Sequence, residues 1–136
     1  MSQENVEVVR RTIERWNEGD VQGWLKCWSP DAEWTSQPIG AFEGDPRTYR
    51  GHAELSRFPA DVLEGFADLG QFEQPRFRDV GDTVVVLADY KARAQATGPE
   101  VRAQWGWLFE LRNGQIARGR DYLDPREALE AVGLSE

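Results

Sequence analysis

Leu111-Arg112-Asn113-Gly114-Gln115-Ile116-Ala117-Arg118-Gly119-Arg120-Asp121-Tyr122-Leu123-Asp124 is the stretch on which the fold turns. Asn-Gly between strand-type residues is the strongest short hairpin signal, because both central positions of the favoured turn need positive φ. It joins a strand Val101 to Arg112 to a strand Gln115 to Leu123. Upstream, Gly81-Asp82 and Thr97-Gly98-Pro99 mark two further turns. Between them lies Thr83 to Gln95, where Val84, Val85, Val86 and Leu87 form a buried run. Phe72 to Val80 carries Pro75, which removes a ladder donor and puts that strand at an edge. The second half of the chain thus reads as a four-strand antiparallel meander. Asp124-Pro125-Arg126-Glu127 is a capped helix start, continued by Ala128, Leu129 and Val132 and stopped at Gly133.

The first half reads as helices. Val6, Val9, Ile13 and Trp16 recur at helical spacing, with Ser2 as a cap and Asn17 to Asp20 as the stop. Asp20 caps a second helix with Val21, Trp24, Leu25 and Trp28 on one face, broken by Ser29-Pro30. A short strand, Ala32 to Ser36, follows. Gln37 to Gly51, with Phe42 and Tyr49, reads as a long functional loop. His52 opens a third helix marked by Leu55, Phe58, Val62, Leu63 and Phe66, which Pro59 must kink or restart. The expected fold is α+β: a cone-shaped, curved antiparallel sheet under three N-terminal-half helices, plus a short C-terminal helix. It forms one domain over 1–136 with a hollow between its layers.

Composition narrows the function. The 136 residues carry 16 Lys+Arg against 24 Asp+Glu, a formal charge of −8, which disfavours nucleic acid and anionic membrane as partners. No secretion-type start and no spanning apolar run are read, so a cytoplasmic setting is expected. A single Cys27 and a single His52 leave no basis for a metal site. No Gly-rich phosphate cradle is present, and no cofactor is expected. Six Trp, six Phe and three Tyr are many rings for this length, enough to fill a core and wall a pocket.

Three segments carry a resemblance. They are Trp16-Asn17-Glu18-Gly19-Asp20 between helices, Ser29-Pro30-Asp31-Ala32-Glu33-Trp34 into the first strand, and Tyr49-Arg50-Gly51-His52 into the third helix. Together with the closing stretch 111–124 they resemble the nuclear transport factor 2-like superfamily, and within it the SnoaL-like, polyketide cyclase-like group. The resemblance implies a homodimer paired through the sheet and a small apolar or polycyclic partner molecule. It does not fix a reaction, because one fold hosts many functions. The ketosteroid isomerase set is missing: Ser36 stands at its base position, Thr12 at its phenol position, and Leu108 near its acid position. The epoxide hydrolase set is incomplete: Asp121 and Asp89 match its two aspartates, but Leu87 stands at the bridging arginine. Trp34 and Ser36 occupy its water-positioning places. The cyclase branch implies Asp121 as a single acid/base.

Asp121 is therefore the leading catalytic candidate, with Asp89 and His52 behind it. Alternation puts Asp121 on a face with Ala117, Gly119 and Leu123, and lets Arg93 on a neighbouring strand pair with it. Trp105, Trp107 and Phe109 form a stripe that walls the pocket if its face is concave, or anchors the dimer if convex. Trp16, Trp34, Ser36 and Tyr49 complete the expected ligand contacts. Whether the protein is an enzyme stays open at this point. One reading is a cofactor-free acid/base enzyme of cyclase, isomerase or hydrolase type. The other is a non-catalytic binding or dimerisation module. The first needs Asp121 desolvated, unpaired and facing a void; the second is satisfied by Asp121 bridged to Arg93.

Overall fold

A computed structural model describes residues 2–40, 44–94 and 97–135. Helix α1 (Ser2–Asn17) and helix α2 (Val21–Lys26) lead into strand β1 (Trp28–Ser36). A one-turn helix α3 (Gln37–Gly40), strand β2 (Arg47–Arg50), and helices α4 (Gly51–Leu55) and α5 (Phe58–Gly65) follow. Strands β3 (Gln71–Val80), β4 (Thr83–Arg93), β5 (Glu100–Arg112) and β6 (Gln115–Tyr122) form the expected meander, closed by α6 (Pro125–Glu130). The sheet order is β2-β1-β6-β5-β4-β3, with β1 parallel to β6 and every other pair antiparallel.

Local chemistry explains the frame. The Asp20 side chain accepts the Gly23 N–H at 2.9 Å and starts α2, and Asp124 accepts the Arg126 N–H to start α6. Asn113 and Gly114 sit at φ of 54° and 76°, so the β5–β6 hairpin turns as its sequence demands. Strand β3 lies at the sheet edge, and a bulge between Glu73 and Arg76 absorbs Pro75. The buried run of β4 divides by parity. Val84, Val86 and Ala88 join the main core under the helices, whereas Val85 packs with Ala128 and Leu129 beneath α6 on the other face.

Three expectations need correction. The second helix ends at Lys26, and Trp28 starts β1. Cys27 carbonyl accepts the Ile116 N–H at 2.9 Å and Trp28 registers with Ile116, so parallel pairing to β6 outcompetes one more helical turn. The third helix is two helices, and of the two expected effects of Pro59 it is the restart that occurs, with Pro59 in the first turn of the second. The 37–51 loop contains α3 and β2. Strand β2 escapes a hydropathy search because only Tyr49 among its four residues is apolar and buried. Phe42 and Gln95 lie outside the described residues. Among those described, no helix is long and apolar enough to cross a membrane.

Candidate functional site

Between the inner face of the sheet and helices α1, α2, α3 and α5 lies one aromatic hollow. All six tryptophans of the chain line it: Trp16, Trp24, Trp28, Trp34, Trp105 and Trp107. Phe58, Phe66, Phe72 and Tyr90 add further rings, and Pro38 and Ile39 of α3 contribute aliphatic surface. The space inside is about 60 Å³. That is less than a single benzene ring needs, so a larger ligand enters only where part of the wall gives way. Such walls favour flat apolar ligands, which gain both burial and offset or edge-on ring contacts.

The polar groups in this wall are few. Thr12 spends its hydroxyl on the Val8 carbonyl at 2.7 Å. The Tyr90 hydroxyl donates to the Leu69 carbonyl and accepts from Trp16 Nε1 at 2.9 Å. Burial pushes that phenol above its ordinary range, so it stays protonated. Asp121 is 4% exposed and lines the hollow. Its Oδ1 accepts the Gln37 backbone N–H at 2.8 Å, and its Oδ2 accepts the Ser36 hydroxyl at 3.2 Å. Burial raises its pKa from 3.8 to about 7, against the opposing pull of those two donors and of the Arg120 charge. No Arg, Lys or His is among the lining residues described. A carboxyl with no ion-pair partner, titrating at neutral pH in an apolar hollow, can give or take a proton with little bias.

A family model described as SnoaL-like domain matches residues 9–119. The chain belongs to the SnoaL-like domain family. Its fold is that of a Burkholderia pseudomallei NTF2-like protein of unknown function, at TM-score 0.79 and 24% identity over 96% of this chain and 98% of that one. TerC, solved with polyporic acid, superposes at TM-score 0.78 with 25% identity over 95% and 97% of the two chains. The phenazine biosynthesis protein PhzA2 of Pseudomonas aeruginosa is 29% identical over 107 residues, 75% of this chain and 62% of that one.

In this SnoaL-like chain the structure brings together Asp121, Ser36, Trp16, Trp34, Trp105 and Trp107 at the hollow. The 105–109 stripe therefore faces the concave side, with Phe109 stacked behind Trp34 at 6.3 Å as its support. Tyr49 sits one layer back, edge-on to Phe58, and its hydroxyl donates to Asp61 Oδ2 at 2.6 Å. Asp89 is not near Asp121. Ala88 and Tyr90 take the inner positions of β4, so Asp89 and Arg93 face outward. Arg93 donates instead to the Gly98 carbonyl. The paired-aspartate arrangement of an epoxide hydrolase does not form. His52 is tied to the Trp28 carbonyl at 2.9 Å, behind the wall rather than at a pocket mouth. Ala117 leaves the expected face as well, because β6 bulges between Ile116 and Arg118, and Leu123 lies beyond the strand and is exposed.

Gly119, two residues before Asp121 on the inner face of β6, lets the rings behind the wall pack closely. A Cβ there would stand 2.7 Å from Trp28 Cη2, 3.0 Å from Trp34 Cε3 and 3.1 Å from Phe109 Cδ1. These rings are buried and packed on one another, which leaves a Cβ little room. Gly119→Ala is expected to cost about 1–3 kcal/mol through overpacking, read as a lower melting temperature and lost ligand affinity together. An unchanged melting temperature would show that the rings move freely.

Proposed function

We propose that the protein binds a flat, largely apolar ring compound in the tryptophan-lined hollow and moves a proton on it through Asp121. The observation that carries this reading is Asp121 itself: buried, held by the Ser36 hydroxyl and the Gln37 N–H, and in no salt bridge among the described residues. Its two hydrogen bonds fix the carboxyl in orientation without neutralising it, as a shuttle needs. The binding of polyporic acid by TerC and the part of PhzA2 in phenazine biosynthesis support a ring-bearing ligand here. A bicyclic molecule requires part of the wall, such as Pro38 and Ile39 of α3, to give way. The family resemblance further supports pairing of two copies through the outer sheet face.

The test uses 2-tetralone, a bicyclic ketone whose C1 hydrogens can leave as protons. In D2O the protein should accelerate deuterium incorporation at C1, followed by NMR. As Asp121 must be ionised to accept the proton, the rate should rise with pH through about 7 and then level. Tryptophan fluorescence reports binding of 2-tetralone or polyporic acid separately. Binding without accelerated exchange would sink the catalytic half and leave a binding protein; no binding would sink both.

A further inference from the structure

Among the described residues, Asp121 is the one carboxyl group in a wall of rings: six Trp, three Phe and Tyr90 line the hollow with it. Trp107 stands directly opposite Asp121 in the β5–β6 register. The centroid of its ring system lies 4.4 Å from that of Phe72, 6.0 Å from Tyr90 and 6.3 Å from Trp105. The carboxyl thus borders a continuous aromatic surface carried by β3, β4 and β5. A ring face attracts a positive charge within about 6 Å of its centroid, most strongly where water is excluded. That reach spans a space of about 60 Å³.

The charge on Asp121 has no counterpart in this wall. An ionised carboxylate offers about four acceptor sites, and the Ser36 hydroxyl and the Gln37 N–H occupy two of them. No Lys, Arg or His lines the hollow among the described residues. Arg120 stands between Gly119 and Asp121 on β6, so its side chain leaves by the other face of the sheet, where it lies over the Tyr122 ring at 5.3 Å. A carboxylate already stripped of water lacks only a partner. An arriving cation that pairs with it has only its own hydration to replace. The chain's formal charge of −8 also draws cations toward the protein and holds anions off.

We infer that the hollow receives small organic ammonium ions: the charged nitrogen donates to the free acceptor sites of Asp121, and the alkyl group rests on the rings. This rests on the hollow being the ligand site and on no proton transfer within it. The space equals about two water molecules' share of the liquid, roughly 30 Å³ each. An ion as small as ethylammonium therefore fits without displacing the wall.

Ethanol has the same carbon frame and no charge, so the two compounds isolate the role of the charge. Tryptophan fluorescence titrations of the wild type compare them at about pH 8, above the point where Asp121 ionises, with sodium chloride as the control for ionic strength. Ethylammonium should bind at least about tenfold more tightly than ethanol, and sodium should leave the signal unchanged. Asp121→Asn should weaken ethylammonium about tenfold or more and ethanol less than about twofold. Ethanol binding as tightly as ethylammonium would overturn the inference in the wild type alone, with no variant needed. Ethylammonium binding that persists undiminished in Asp121→Asn would overturn it as well. If 2-tetralone or polyporic acid binds while ethylammonium does not, the inference falls and the ring-compound reading stands. If none of these compounds binds, the hollow is not a ligand site and both fall. Binding of ethylammonium without exchange of 2-tetralone would uphold the inference and remove the catalytic half of that reading.

Discussion

Asp121→Asn is expected to slow C1 exchange of 2-tetralone by about 10²–10⁴-fold, the usual worth of a positioned general base. Its dissociation constant should stay within about a factor of three. The amide keeps the carboxyl's size, and its oxygen can still accept the Gln37 N–H, so the wall that holds the ligand is preserved. What it loses is the ability to hold a proton at neutral pH. The split between turnover and affinity is what separates a working group from a structural one. If Asp121 only shaped the hollow, both quantities would fall together or neither would move. Residual exchange in the variant would measure the share contributed by desolvation alone. The same variant should lose the rise in rate through pH 7, because no other group described in the wall titrates there.

Much of this arrangement was written in the chain, and the remainder was hidden for identifiable reasons. The Asn113-Gly114 turn and the four valine-to-leucine positions of β4 fix the meander through local backbone demand and burial. Asp121 stood out because the closing stretch resembles the cyclase branch, and strand alternation set it on a face with Gly119. Bulges erase that kind of inference: one bulge in β6 moved Ala117 off the face, and no residue at that point announces it. The Trp105–Phe109 stripe could not be assigned a side from its own alternation. Parity had to come from the partner strand, where Ala88 and Tyr90 lie inward. Tyr90 itself was legible in that pattern and was missed, since the neighbouring Asp89 drew the chemistry. Gln37 was invisible in principle, because its contribution to Asp121 is a backbone N–H that any non-proline residue carries. Trp24 and Trp28 were read as one helical face; in fact two different elements deliver them to the same cavity.

The remaining large effect is on stability, and it runs opposite to the one on activity. Asp121 has a pKa of about 7 in the folded chain against 3.8 ordinarily, so between those values the folded state holds a proton that the unfolded state has released. Folding stability from this group is full below about pH 4, falls as pH rises, and is lost above about pH 7. The whole excursion is worth about 4 kcal/mol. Ionised Asp121 thus loads the fold at the pH where it must act as a base. Asp121→Asn carries no such charge, so the two proteins should melt alike near pH 4. By pH 9 the variant should melt higher by roughly ten degrees. The half-buried carboxylates Glu73 and Asp124 have lowered pKa values and act in the opposite sense, but they are common to both proteins and cancel in the comparison. Melting curves of wild type and variant that run parallel from pH 4 to 9 would mean that Asp121 is ionised at little cost. It would then lack the raised basicity that proton abstraction from carbon requires. A gap that opens with pH, alongside lost exchange, would tie the group's energetic burden to its use, as expected where a site is built at the expense of the fold.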